Sequence, residues 1–547
     1  MVFAEKNTTM NPIDPIICGQ EYSDGTTFIM DHLPELMQEE DNRQANLKHP
    51  YVIRDIFKDH PECWSKDSGV SLRPEQYTAA WCIANCKTRG MNGFTASYCP
   101  KCGYKSLHYK SCGNRNCPSC QLPTQMQWVE DRKKEVIPDQ PYYHIIFTSD
   151  HRLTPLFYAN QKTLYGLYSQ CASSAIIDLC NDPHYLGATP GIISVLHTWR
   201  QDLLPHVHLH CIVSGCGLTK DKKFVSLLDV HQKADTSDLS ESCTIAESAL
   251  LDDDDDSSND AMANCPYFLP MEPLTNLFRN KFMDKLRDLW KEKKLVIPNS
   301  HPEWNDFAIW SEFCKDVSSV KWVGKIVNAF HGKGEVNAID YLARYVFRTA
   351  ISNNRITDYD GKNVTFRVRD NDHPGQHKDC KLSAEEFIRR YLFHVLDARV
   401  PRVRYAGFLS CNSRSKNLRL IAEQLQIPSM LEIWAPKKAE ETSSDNCSAS
   451  SKTSSWKTVK LPIEQTMFKF YRIDVCQCPN CNSPLVMWPP KVRRDLGFWR
   501  PKLSPEKERI IKFKAARKRK IARETWAKIK ASRERKRQES AKKVKTA

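Results

Sequence analysis

No run of about 18 apolar residues occurs anywhere in the 547-residue sequence, which excludes a membrane-spanning helix. The first residues, MVFAEKNTTMNPIDP, lack the basic region and apolar run of a secretory leader. A soluble, intracellular protein is therefore expected. No internal repeat is visible. An excess of one charge sign is also missing from most of the chain. The net charge is +15, but Lys502–Ala547 alone holds 19 Lys or Arg against 5 Glu. The remaining body is near neutral, and the C-terminus reads as a polyanion-binding arm.

Hydrophobic residues make up 41% and charged residues 27%, enough apolar content for a buried core over most of the length. The 22 cysteines stand out. In a reducing compartment they read as metal ligands and buried thiols, not disulfides. Composition shifts divide the chain into a helical lead-in (1–75), a Cys- and Gly-rich zinc-binding segment (76–138) and a large mixed domain (139–430). A Ser/Thr-rich linker (431–460), a small Cys-bearing segment (461–500) and the basic tail (501–547) follow. The large domain carries strand-like runs at PYYHIIFTSD from Pro141, GIISVLHTW from Gly191 and HVHLHCIVSG from His206. Helical patterns run from about Pro155 to Leu179, Leu274 to Lys294, Val336 to Ala350, and from Ala384. The acidic segment at about 237–264 reads as a solvated insertion.

Two C-x-x-C pairs, Cys99 with Cys102 and Cys117 with Cys120, are separated by 14 residues. Each short gap turns two sulfurs toward one ion, and two such knuckles complete a tetrahedral thiolate shell. Four ligands close the site, so a structural Zn²⁺ is expected there. Cys112 and His108 lie between the knuckles and can replace a ligand. Arg115 and Lys110 on the same loop suit a phosphate contact. Cys478 and Cys481, with Cys476 just before, form half a site with no partner pair after them.

His206, His208 and His210 alternate with Val207 and Leu209. On a strand these histidines share one face. Two imidazoles at i and i+2 can hold one divalent ion, and few protein ligands leave coordination positions open for chemistry. His206, His144 and Gln201 are candidates for a third ligand. In IDYLARYVFRTAIS, Tyr341 and Tyr345 are four apart and share a helix face. Such pairs usually pack in a core, but a tyrosine oxygen can also attack a phosphodiester and keep the broken strand covalently.

Five blocks in order resemble the two-tyrosine rolling-circle transposases, insertion-sequence family ninety-one. They are CPKCG…SCGNRNCPSCQ, HIIFTSD from His144, HVHLHCIVSGCGL, YLARYVFRTAISNNRI, and EEFIRRYLFHVL with RVRYAGFLS. The resemblance runs from about Cys86 to Ser415. It implies an α+β fold of the histidine-hydrophobe-histidine nuclease type, a central antiparallel sheet with packed helices. It also implies Mg²⁺ or Mn²⁺ on His208 and His210, and attack by Tyr341 or Tyr345 to give a 5′-phosphotyrosine. The implied partners are single-stranded DNA or hairpin ends of a mobile element and target DNA, in the prokaryotic cytoplasm at the nucleoid. A replication initiator of the same chemistry would share these residues. A zinc-dependent DNA-binding regulator would need only the cysteines and the tail.

Overall fold

Runs rich in β-branched, aromatic and other apolar residues build three neighbouring strands: β3 (Tyr142–Thr148), β4 (Thr189–Trp199) and β5 (Pro205–Leu218). All of β3 and nearly all of β4 and β5 are buried, so both faces of their sheet are covered. With β7 (Val323–Phe330) and β11 (Val403–Gly407) the order is β11-β4-β5-β3-β7, and the short β6 (Phe224–Ser226) pairs with the end of β5. Every pairing is antiparallel. The fold is α+β with a central antiparallel sheet, as the sequence implied.

This computed structural model describes residues 33–45, 52–91, 93–233, 268–330, 339, 346, 349–370, 373, 375–434 and 477–488. The chain divides into two compact units, Met1–Val486 and Met487–Ala547; only Met487 and Trp488 of the second are described. Tyr341, Tyr345, Cys476, the acidic segment 237–264 and the basic tail lie outside the described residues, as does most of the linker. Among the described residues, no helix is long and apolar enough to cross a membrane.

Alternation sorts the side chains of the sheet. On one face Tyr143, Ile145 and Phe147 of β3 lie beside Leu209, Cys211 and Val213 of β5. They pack against the helices Gln161–Cys180, Met271–Lys291 and Phe307–Ser319. Phe147 meets Phe278 at 4.9 Å between ring centroids, and Phe278 meets Tyr168 at 5.1 Å. Each such ring contributes roughly 1.5–3 kcal/mol by leaving water. The helical pattern after Pro155 is broken into Thr154–Ala159 and Gln161–Cys180. Asn160 marks the break; its side-chain amide donates to the Leu156 and Val296 carbonyls and its Oδ1 accepts the Val296 amide.

On the opposite face, Ile193, Val195 and Ile212 lie under the helices Leu122–Lys133 and Arg414–Leu425. Ile339 and Val346 are helical, buried and part of this same apolar cluster. They flank the tyrosine block in the sequence.

A second, smaller sheet was not anticipated. β8 (Ile356–Tyr359), β9 (Asn363–Arg369) and β10 (His377–Ser383) form an antiparallel meander. Ser383 then caps the helix Ala384–Phe393 by accepting the Glu386 amide. Phe366, Phe387 and Tyr391 pack with Ile56, Phe57 and Ile83 of the helices Ile53–Asp59 and Pro74–Asn85. Trp199, at the end of β4, joins the same cluster. The thiol-rich module, whose hairpin is β1 (Phe94–Tyr98) with β2 (Lys105–Tyr109), is thereby anchored beside the histidine end of the central sheet.

Candidate functional site

The register of the central sheet gathers histidines from three strands. His197 of β4 lies directly opposite His208 of β5, and Thr148 of β3 lies opposite His208 on its other side. His210 sits two residues on, between Val195 and Ile146. The ring nitrogens of His197, His208 and His210 come within 4.8 Å of one another, and all three residues are buried. His208 and His210 thus face the same way, as strand alternation required. The third member is His197, which stands alone in an apolar strand and which the sequence pattern did not single out.

The other candidates take different positions. His206 contributes its carbonyl, which accepts the Nδ1–H of His208 at 3.2 Å. That bond leaves the Nε2 lone pair of His208 to face a ligand. His144 Nε2 lies 3.0 Å from His210 Nδ1, behind the cluster. Burial pushes His144 down to about 3, so it stays neutral and can accept the Nδ1–H of His210. Gln201 is turned away, its Oε1 accepting the Arg369 amide. His197 is stacked on Trp199 at 4.5 Å.

Four cysteines expected to share one ion do not come together. Cys117 and Cys120 meet Cys86 and Cys112, whereas Cys99 and Cys102 meet Cys478 and Cys481. In each foursome the sulfurs all lie within 4.8 Å of one another. The split has a simple cause. The β1–β2 hairpin carries its knuckle away from the loop 112–120, while the helix Pro74–Asn85 ends at Cys86 and brings that thiol to the loop instead. Cys112 therefore joins a foursome. His108 does not; its ring lies against Arg43 and Glu40.

Arg115, on the loop that suited a phosphate contact, is turned inward. Its guanidinium donates to the carbonyls of Leu396, Asp397 and Val400, and burial lowers its pKa. Lys110 is exposed. Nearby, Arg402 donates to Asn116 Oδ1 and lies 5.8 Å from the Trp199 ring centroid. The thiol loop and the histidine cluster are so linked through two side chains, Arg402 and Trp199.

His394 sits beneath this link. It is fully buried, with Nε2 donating to the Leu203 carbonyl at 2.9 Å and Nδ1 3.2 Å from Thr198 Oγ1. Burial pushes it down to about 4, so the folded protein holds it neutral. In the unfolded chain it takes a proton near pH 6.5. Stability from this residue is complete above that pH and is lost as pH falls toward 4, on the order of 3 kcal/mol. Urea unfolding at pH 7 and pH 4.5 should show the loss, and His394→Gln should lose less between the two. Equal slopes in both proteins would refute the assignment.

The thiol-rich module and the histidine-bearing antiparallel sheet both lie in regions that resemble transposases. A family model described as a putative transposase matches residues 191–235 and 245–417, and one described as a transposase zinc-binding domain matches residues 56–149. A putative transposase of Sinorhizobium fredii is 31% identical over 389 residues, covering 71% of this chain and 87% of that protein. The transposase for insertion sequence element IS801 of Pseudomonas savastanoi pv. phaseolicola is 24% identical over 389 residues, covering 69% and 81%. The chain belongs to the two-tyrosine transposases of insertion-sequence family ninety-one. No solved structure matches it.

Proposed function

We propose that this transposase cuts and rejoins single-stranded DNA, or extruded hairpins, at the ends of its insertion sequence, and joins them to target DNA. The observation that carries the reading is the meeting of His197, His208 and His210 on two paired strands. The three ring nitrogens can hold a divalent ion, read here as Mn²⁺ or Mg²⁺ with the remaining positions left to water and phosphate oxygens, and the bond from His208 Nδ1 to the His206 carbonyl leaves its Nε2 to face that ion. Such an ion supplies charge stabilisation at the scissile phosphate.

Tyr341 or Tyr345 is the nucleophile. Its deprotonated phenol oxygen bonds to phosphorus, the bond from phosphorus to the 3′ oxygen breaks, and that oxygen takes a proton to become a 3′-OH. The DNA is left as a 5′-phosphotyrosine. Attack by a 3′-OH reverses the exchange and rejoins a strand without an external energy source. Support comes from the flanks of the tyrosine block: Ile339 and Val346 are buried with Ile193, Val195 and Ile212 on the histidine face of the sheet. The foursome Cys86, Cys112, Cys117 and Cys120 is assigned a structural Zn²⁺, and the basic tail is assigned the bulk electrostatic grip on DNA.

The protein with Mn²⁺ should form an SDS-resistant adduct with single-stranded oligonucleotides of the element's end. Tyr341→Phe combined with Tyr345→Phe should abolish the adduct. Its persistence in the double variant would overturn the nucleophile assignment.

A further inference from the structure

We propose that Cys99, Cys102, Cys478 and Cys481 form a second zinc site, which ties the C-terminal Cys-bearing segment to the hairpin of the N-terminal module. Cys478 and Cys481 lie outside both regions that match family models. They are separated from their partners by almost four hundred residues of sequence.

The geometry is that of a thiolate shell. Cys99 Sγ is 3.5 Å from Cys481 Sγ, and Cys102 Sγ is 3.5 Å from Cys478 Sγ. Zn–S bonds of ~2.3 Å in a tetrahedron place sulfurs about 3.8 Å apart. The same spacing is seen in the first foursome, where Cys112 Sγ and Cys120 Sγ are 3.7 Å apart. A disulfide would need sulfurs at about 2.05 Å and would use only two of the four.

The backbone supplies an independent observation. In CPKCGY the Cys99 amide donates to the Tyr104 carbonyl at 2.8 Å, and the Gly103 amide donates to the Cys99 carbonyl at 3.0 Å. In CPNCNS the Cys478 amide donates to the Ser483 carbonyl at 2.8 Å, and the Asn482 amide donates to the Cys478 carbonyl at 2.9 Å. The two loops make the same pair of bonds at the same offsets. Each places a left-handed residue after its second cysteine, Gly103 at φ +73° and Asn482 at φ +55°. Glycine and asparagine are the residues that adopt this conformation most readily. Two separate segments fold into matching knuckles and face each other, each offering two sulfurs.

The first foursome is complete without these residues, so the hairpin knuckle has no other cysteine pair among the described residues to close its shell. Four thiolates and no open position make the metal structural. Tetrahedral all-sulfur coordination suits zinc or iron. Of these we assign zinc, which is redox-inert and matches the neighbouring zinc-binding domain.

The test is metal content of the full-length protein purified without added chelator. Elemental analysis should find two zinc ions per chain. Cys478→Ser combined with Cys481→Ser should lower this to one, and Cys99→Ser combined with Cys102→Ser should give the same loss. Retention of two ions by either double variant, or one ion in the unaltered protein, would overturn the site. Iron in place of zinc would overturn the metal assignment. A variant that loses both ions has misfolded more widely, and a footprint of the unaltered protein then decides. Alkylation followed by mass spectrometry should find Cys99, Cys102, Cys478 and Cys481 protected together and released together by a chelator. Free reactivity of Cys478 and Cys481 before chelation, or a disulfide between the segments, would refute the proposal.

Discussion

His197→Ala is expected to depress single-strand cleavage as deeply as His208→Ala or His210→Ala, by roughly a thousandfold, the ~4 kcal/mol scale of metal stabilisation of a phosphoryl transition state. His206→Ala should keep most of the activity. The difference follows from position. His197 faces His208 across the β4–β5 ladder and its ring nitrogen lies with those of His208 and His210. His206 serves through its carbonyl, which alanine retains. Single-turnover cleavage of an end oligonucleotide, measured across a Mn²⁺ titration, reads both effects. Loss of a ligand should also move the Mn²⁺ midpoint upward for His197→Ala but not for His206→Ala. Wild-type cleavage by His197→Ala, or an equal loss in His206→Ala, would show that the third ligand lies elsewhere.

Arg414→Ala should cost about 3 kcal/mol of stability, the low end of the scale for breaking a buried pair, because Arg132 still reaches the Glu135 carboxylate. Arg414 and Glu135 meet at 3.0 Å with side chains 7% and 3% exposed. Arg132 reaches the same carboxylate at 3.1 Å, and the Arg414 guanidinium lies 4.0 Å from the Tyr405 ring centroid. Burial already raises the Glu135 pKa against the pull of both arginines. Without Arg414 that rise grows. A folded-state pKa above the unfolded value gives stability below the unfolded pKa and loses it as pH rises through the folded one. The variant's deficit should therefore be larger at pH 7 than at pH 5. Urea unfolding at the two pH values measures it. Pairing Arg414→Met with Glu135→Gln should recover part of the loss, because the buried carboxylate leaves with its partner and Arg132 keeps its bond to the Tyr405 hydroxyl. A deficit that ignores pH, with no recovery in the pair, would mean that packing rather than charge dominates.

Local pattern made the central strands and several helices readable. HVHLHCIVSG became part of β5 because its alternation suits a strand, and the helix Met271–Lys291 closely follows its apolar periodicity. Other features had no local signal. The meander β8–β10 exists because its apolar side chains find the helices Ile53–Asp59 and Ala384–Phe393. Arg115, on a basic loop that suggested phosphate, spends its donors on three carbonyls from residues 396–400. In the sequence a solvent-facing arginine and one that satisfies distant carbonyls look alike.

The cysteines show where the boundary lies. Sequence alone established each C-x-x-C pair as a knuckle, since a two-residue gap aims two sulfurs one way whatever surrounds it. It likewise set His208 and His210 on one face, since a strand repeats every two residues. Tertiary structure decided which knuckles share a shell, pairing Cys99 and Cys102 with Cys478 and Cys481, and Cys117 and Cys120 with Cys86 and Cys112. It also decided that His197 completes the histidine cluster. A metal site needs ligand atoms within a few ångströms of one point. Periodicity sets the direction of neighbouring side chains, but only strand register and the packing of distant segments bring the remaining ligands to that point.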